Sequence, residues 1–325
     1  MIMEFKIKKK NIVYIAIIFP IIVLVSFFVS LRSSNFNDYE QYKIIYENYE
    51  TIPVEVSYSL ISQLFHSTSI GFYGLLFLYA LLGIGLKISF FYKYLHSNIS
   101  YFIVIILCYL SSYFILWDLI QIRFSVAVGF LIWGIFTKNK LKYLYLILSI
   151  LFHYSMVAPI SIFLIISIIE HKKIKFFLVL IFVSLYVLAV SKLGLMSQYS
   201  VLENTNSKGI NFLGLFVLSR IFVFSSLYLL IIRYRKKIDV LYQTSAINAS
   251  NVALSMFLLF LALAFSHPLA GERFFDIGIF LILNCAFMIN FNGFKYILFF
   301  ICSLFISAYL IAFVFNPYGN SLIFH

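Results

Sequence analysis

Apolar positions fill this chain in long runs, separated by short polar or basic stretches. The runs fall near 11–31, 71–92, 99–116, 120–137, 143–152, 155–169, 176–191, 212–232, 246–265, 274–290 and 295–315. A helix needs about 20 predominantly apolar residues to cross the hydrocarbon core of a bilayer, and most of the runs approach that length. The pattern predicts an all-α fold: a polytopic transmembrane helical bundle of about eleven spans, within a range of about ten to twelve. Residues 1–325 read as one integral membrane domain, without linkers or an internal repeat.

The stretch 143–169 decides the count. As one helix it would put Lys138, Lys140 and Lys142 across the bilayer from Lys172, Lys173 and Lys175. Positive clusters collect on the cytoplasmic side, so two short helices bent around His153 fit better. Every lysine-rich cluster then faces inward, including Arg233-Tyr234-Arg235-Lys236-Lys237, with the N-terminus cytoplasmic and the C-terminus outside. Lys6 to Lys10 before Ile12–Leu31 mimics a signal peptide, but the apolar run is too long for one and reads as a retained first span.

This topology sorts the acids. Asp38, Glu40, Glu47, Glu50, Glu55, Asp118, Glu203 and Glu272 fall outside; Glu4, Glu170 and Asp239 fall inside. Two outer segments are substantial. Residues 32–70 read as interfacial, with Tyr39, Tyr42, Tyr46 and Tyr49 along one face of a short helix. Residues 192–211 read as a polar, mobile loop.

Composition narrows the class. The chain is 63% hydrophobic and 11% charged, with a mean hydropathy of +1.02. Soluble domains carry roughly 25% charged residues, so a soluble enzyme is excluded. The net charge of +12 would suggest nucleic acid in a soluble protein, but here the basic residues sit between apolar runs and set topology. No nucleic-acid partner is expected. Cys108, Cys285 and Cys302 lie inside apolar runs without metal spacing and read as small buried hydrophobes.

The arginines change the picture. Arg233 and Arg235 belong to a cytoplasmic cluster, whereas Arg32, Arg123, Arg220 and Arg273 lie in or near the outer half. The positive-inside rule gives no reason for charge there. Arginine differs from lysine in its planar fork, which grips phosphate bidentately. Arg220 sits well inside an apolar helix, where a charge needs a cavity or a partner. An ion pair with Asp118 or Glu272, a hold on an anionic substrate, and snorkelling to the interface all remain open for it.

Two short stretches carry an acid and an arginine at the outer side. They are Trp117-Asp118-Leu119-Ile120-Gln121-Ile122-Arg123 and His267-Pro268-Leu269-Ala270-Gly271-Glu272-Arg273-Phe274-Phe275-Asp276. Each reads as a turn that places both charges at a helix N-terminus, where free backbone N–H groups favour anions. With Arg220 they suggest a shared anion site. His153, in Phe152-His153-Tyr154-Ser155, is either structural or a base and substrate contact at the bend. No HExxH, P-loop, GxSxG or Cys/His cluster occurs, and the outer acids lack Asp-x-Asp pairing, so no metal or other cofactor is expected.

These motifs resemble the Wzy-type polysaccharide polymerases, in particular the EpsG-like family, over most of the chain. Asn37-Asp38-Tyr39-Glu40-Gln41-Tyr42, followed by Glu55 and Tyr58, is similar to the family's first outer segment. Gln121-Ile122-Arg123 with Ala127 resembles its central arginine-bearing helix start, and His153-Tyr154-Ser155 its histidine-centred break. Arg273 resembles the arginine that opens a late span; Phe124 stands where many members carry Gln.

The resemblance implies a bundle like those of multi-span lipid-dependent glycosyltransferases. It implies a polymerase in the bacterial inner membrane that moves a growing glycan from polyprenyl pyrophosphate to the terminal sugar hydroxyl of another lipid-linked repeat unit, on the periplasmic or outer face. The donor bond supplies the energy, and inversion is expected for a single displacement. Arg123, Arg220 and Arg273 are then expected on pyrophosphate, with Glu272 and then His153 as the base. Asp38, Tyr39, Glu55, Tyr58, Asp118, Gln121 and His267 are expected around the glycan. Partners would be the lipid-linked oligosaccharides, with a flippase and a chain-length regulator in the same membrane. A flippase for lipid-linked oligosaccharides and a membrane acyltransferase or ligase are the alternatives. The flippase would favour a longer, repeat-built chain, and the acyltransferase a His-centred motif near the first span.

Overall fold

The computed structural model describes residues 14–32, 34, 38–95, 99–193, 214–289 and 294–315. Thirteen α-helices run through them: α1 (Phe19–Ser30), α2 (Tyr39–Glu47), α3 (Val56–His66), α4 (Gly71–Leu95), α5 (Ile99–Cys108), α6 (Ile122–Phe136), α7 (Leu141–Phe152), α8 (Val157–Ile168), α9 (Lys172–Leu193), α10 (Leu215–Tyr234), α11 (Val240–Leu263), α12 (Pro268–Phe287) and α13 (Phe294–Phe315). Among the described residues β pairing is limited to one isolated bridge, Ile238 with Ile289.

Each of the eleven apolar runs has become a helix. Six stretches are long and apolar enough to cross a membrane: 71–95, 99–120, 173–190, 215–237, 240–263 and 294–311. Four shorter apolar helices cover 16–30, 122–136, 141–152 and 154–168. The eleventh run is α12, which carries Glu272, Arg273 and Asp276 near its start and is buried almost throughout from Phe274 to Phe287. It packs against α11, where Ala246, Ala249 and Ala253 allow close approach, and against α10. On the other side of the bundle α4 packs between α1 and α6, and α6 against α7. Large apolar side chains such as Phe28, Ile103, Ile147, Phe177, Leu229 and Phe300 point outward, as a lipid-solvated bundle requires.

The stretch 143–169 is broken at His153, as the charge pattern predicted. α7 ends there in an extended residue, and a single 3-10 turn, Tyr154–Met156, leads into α8. The two legs diverge, α7 onto α6 and α8 onto α11. α5 does not stop near residue 116, as the apolar run implied. It widens into a π-helix, Tyr109–Ile120, closed by the Gln121 N–H donating to the Leu116 carbonyl at 3.0 Å. Trp117 and Asp118 are therefore helical and buried rather than part of a solvated turn.

Within the segment 32–70, the described residues from 38 onward fold as two short helices laid over one end of the bundle. Tyr39, Tyr42 and Tyr46 are buried along one face of α2, with Tyr39 and Tyr46 packed on Phe72 at 5.4 and 5.3 Å between ring centroids. Tyr49 lies just past the helix, because Asn48 caps it by donating from its side chain to the Ile44 carbonyl at 2.9 Å. The chain turns from α3 into α4 at Gly71, whose φ of +48° is open to glycine at little cost.

The two ends of the bundle differ in charge. Arg32, the α2–α3 segment, residues 118–123, His153 and the start of α12 gather at one end. Lys93, Phe136 and the 234–242 turn meet at the other, where the Lys138–Lys142 and Arg233–Lys237 clusters lie; α8 leads there from His153 toward Lys172–Lys175. The 192–211 loop falls outside the described residues from 194 onward, as do Lys6–Lys10, Glu4 and Glu203.

Candidate functional site

Arg123, in the first turn of α6, is the centre of the first cluster. Its Nη1 pairs with Oε2 of Glu55, the residue before α3, and its guanidinium lies over the rings of Tyr42 and Tyr58 at 5.3 and 5.5 Å. Tyr58 is fully buried and donates from its hydroxyl to the Tyr42 carbonyl at 2.7 Å, which locks α2 to α3 beneath the arginine. Gln121 precedes α6 without a side-chain cap, so its side chain does not satisfy the first-turn N–H groups of the helix.

His153 faces the same pair, with its Nδ1 at 4.0 Å from Oε1 of Glu55. That Nδ1 accepts from the Ser155 backbone N–H at 3.2 Å and meets the Ser155 hydroxyl at 2.9 Å. A backbone N–H can only donate, so a neutral His153 carries its proton on Nε2. Its Nε2–H is then a donor, which suits an oxygen of a ligand better than the proton of an attacking hydroxyl.

Asp38 joins the cluster from the start of α2. Burial pushes its carboxyl above the usual carboxylate range, against the pull of Arg273, Arg123 and Arg32. The same two arginines, Arg273 and Arg123, act electrostatically on His153. Three arginines act electrostatically on Asp38 and one of them, Arg123, pairs with Glu55; three cations against two carboxylates give the cluster a net positive charge.

Arg220 belongs elsewhere. On α10 it pairs with Asp276 through Nη2, and its Nη1 lies 3.5 Å from Oε2 of Glu272. Tyr309 of α13 donates to Oδ1 of Asp276 at 3.2 Å, and the guanidinium is held over Phe275 at 4.8 Å and Phe216 at 5.1 Å. One arginine against two carboxylates makes this cluster net negative. The reading of Arg220 as half of an ion pair with Glu272 is therefore realised, with Asp276 as the closer partner. The grouping of Arg123, Arg220 and Arg273 in a single site is not: the structure divides them between two clusters. The division arises at α12, because consecutive helical residues point about 100° apart at 3.6 residues per turn. Glu272 and Asp276, four residues apart, share the face toward Arg220, while Arg273 turns toward Asp38 and His153.

The family comparison supplies the context for this pair of clusters. The model of the EpsG family matches residues 8–324, nearly the whole chain. The chain belongs to the EpsG family. No curated protein and no solved structure matches it. Membership makes this a multi-pass membrane protein of polysaccharide biosynthesis.

Within this EpsG-family chain the remaining motif residues separate by environment. Asp118 is held away from Arg123, locked with Lys87, Tyr109 and Ser125: Lys87 Nζ lies at 3.0 Å from its Oδ1, and the Tyr109 hydroxyl donates to Oδ2 at 2.5 Å. Asp118 thus sits at the end of the preceding helix, not at the N-terminus of α6 as expected, and touches no open space. Tyr39 packs under the α2–α3 cover, and His267 is the half-buried residue before α12. Phe124, at the position where Gln is common, is buried against His153 with ring centroids at 5.4 Å, so it supports the histidine by contact. Lys87 was missed. Its signal was a lone lysine in the middle of an apolar run, which in a membrane span requires a buried partner. Among the described residues no three of His, Cys, Asp and Glu stand close enough to hold a metal ion.

Proposed function

We propose that this EpsG-family protein is a polysaccharide polymerase acting at the outer face of a bacterial inner membrane. It transfers a growing glycan from polyprenyl pyrophosphate to the terminal sugar hydroxyl of a second lipid-linked repeat unit. The observation that carries this reading is the Arg123–Glu55 pair with His153 beside it, where Arg32 and Arg273 also act on Asp38, next to a separate acidic cluster one helix face away.

The reaction breaks the bond between the anomeric carbon and the pyrophosphate oxygen, and the electron pair leaves on the pyrophosphate. Arg123 and Arg273, with Nε2–H of His153, hold that developing charge in place, where preorganised donors act most strongly. The acceptor hydroxyl forms the new glycosidic bond, with inversion, and its proton passes to the Glu272 carboxylate. Glu272 suits that task because it is about 39% exposed, while Arg220, at 2%, holds it from behind. Asp38, Glu55 and Gln121 border the donor side. Arg220 then positions Glu272 and does not grip pyrophosphate.

The test uses purified protein in vesicles with synthetic lipid-linked repeat units. A ladder of longer lipid-linked glycans supports the polymerase. Movement of the repeat units between leaflets without a ladder overturns it in favour of a flippase.

A further inference from the structure

Arg32 lies two residues past the end of α1 and is buried, only 6% exposed, at the charged end of the bundle. Its Nη1 donates to the Leu119 carbonyl at 2.6 Å and reaches the Asp118 carbonyl at 3.4 Å, the last acceptors of the π-helix. Its Nε and Nη2 are buried and have no hydrogen-bond partner among the described residues. Those two N–H groups form one edge of the guanidinium, and that edge is the one that holds a phosphate by two parallel bonds.

The charge is unusual as well. Arg123 and Arg220 each have a carboxylate within ion-pairing distance; Arg32 has none among the described residues. A buried cation with an unsatisfied edge costs well over what a neutral donor costs, unless an anion completes it. Around it stand Tyr42, Tyr58 and Asp38, groups on which Arg123 also acts. Two further atoms there are buried without partners: Nε of Arg123 and Oε1 of Gln121. The open donors of two arginines outline the acceptor oxygens of a ligand, and the open amide oxygen of Gln121 calls for a hydroxyl beside them.

We propose that Arg32 is a phosphate-binding residue of the donor site, presenting its Nε/Nη2 edge to one phosphate of a diphosphate while Arg123 and Arg273 hold the other. The inference rests on the donor-site reading above and extends it to a third arginine. Three forks fit two phosphates, so the site should prefer a diphosphate over a monophosphate headgroup. The Nη1 contacts to the Asp118 and Leu119 carbonyls fix the orientation of the guanidinium, so little of it has to be ordered on binding.

The test measures binding of inorganic pyrophosphate, and of inorganic phosphate for comparison, to the purified full-length protein in detergent. Wild type should bind pyrophosphate more tightly than phosphate. Arg32→Lys keeps the charge but loses the edge, and should weaken pyrophosphate binding about tenfold or more, equivalent to about 1.4 kcal/mol. If folded Arg32→Lys melts at a lower temperature yet binds as wild type does, Arg32 only caps the π-helix and the proposal is overturned. A second measurement needs no variant: a photoreactive pyrophosphate analogue on wild type should label the peptide that carries Arg32. Labelling of the Arg123 and Arg273 peptides without that one removes Arg32 and leaves the donor site standing. Labelling of none of the three, with no pyrophosphate binding by wild type, removes the donor site itself.

Discussion

Arg123 and Glu55 are joined across the top of the bundle, pairing the first turn of α6 with the residue that starts α3. The contact ties the α2–α3 cover to the helix that bears the central arginine. Their side chains are 15% and 8% exposed, so the pair is largely out of water. Breaking a buried pair by removing one partner costs about 3–5 kcal/mol, and this partly open one should fall near the lower end. Glu55→Gln should therefore lower the thermal midpoint of the purified protein clearly. A midpoint within error of wild type would mean that the cover is held by its tyrosines alone.

The Lys87–Asp118 network is read as structural. α4 approaches this network at Gly83, where an added Cβ would collide with the Ser125 hydroxyl of α6 and lie 2.8 Å from Oδ1 of Asp118. Lys87→Met should destabilise by about 3–5 kcal/mol, because Asp118 loses its counter-ion in a dry interior. Lys87→Met with Asp118→Asn should recover most of that loss and keep near-normal turnover per folded molecule. A stable double variant without turnover would show that the network takes part in the chemistry.

Asp38 gives a pH dependence with a definite sign. Its folded pKa is raised, chiefly by burial, so the ionised form is less favourable in the fold than in the unfolded chain. The contribution of this group is present below its unfolded pKa of ~3.9 and is lost as pH rises through the folded value. Asp38→Asn should therefore raise the melting temperature near neutral pH, with the gain fading on acidification. A loss of stability near neutral pH would show that the arginines depend on that charge.

The sidedness of the bundle is open to cysteine labelling, since Cys108, Cys285 and Cys302 are all buried. Tyr154→Cys, at the exposed edge of the break, should react with an impermeant thiol reagent in intact cells. Lys140→Cys should react only after permeabilisation. Labelling of position 140 in intact cells would reverse the assignment of inside and outside.

Much of this architecture could be read from the chain because a bilayer imposes one strong rule, that backbone groups be satisfied within helices. Apolar run length therefore located all eleven core helices, and the positive clusters located the break at His153. The ends of helices were harder. The run of apolar residues stops near 116, but the helix continues because buried Asp118 has Lys87, Tyr109 and Ser125 to satisfy it. The outer-half arginines could be placed toward one end of the molecule from the sequence, but their grouping could not be read there. Helical spacing held the missing information: Glu272 and Asp276 stand four apart and Arg273 lies between them, so one arginine could not share their face. The open edge of Arg32 depends on a contact between residues 32 and 119, which no local pattern reveals.

The most direct test of the account is the rate of glycan ladder formation per correctly folded molecule, measured for Arg273→Lys beside wild type in the same vesicles. The lysine keeps the charge and loses the fork, and loss of a donor to transition-state charge typically slows turnover by ~10²–10³. The account predicts a ladder from wild type and a fall of that order in Arg273→Lys. A ladder formed by Arg273→Lys at near the wild-type rate would contradict it, and would return the search for the leaving-group site to His153 and the first outer segment.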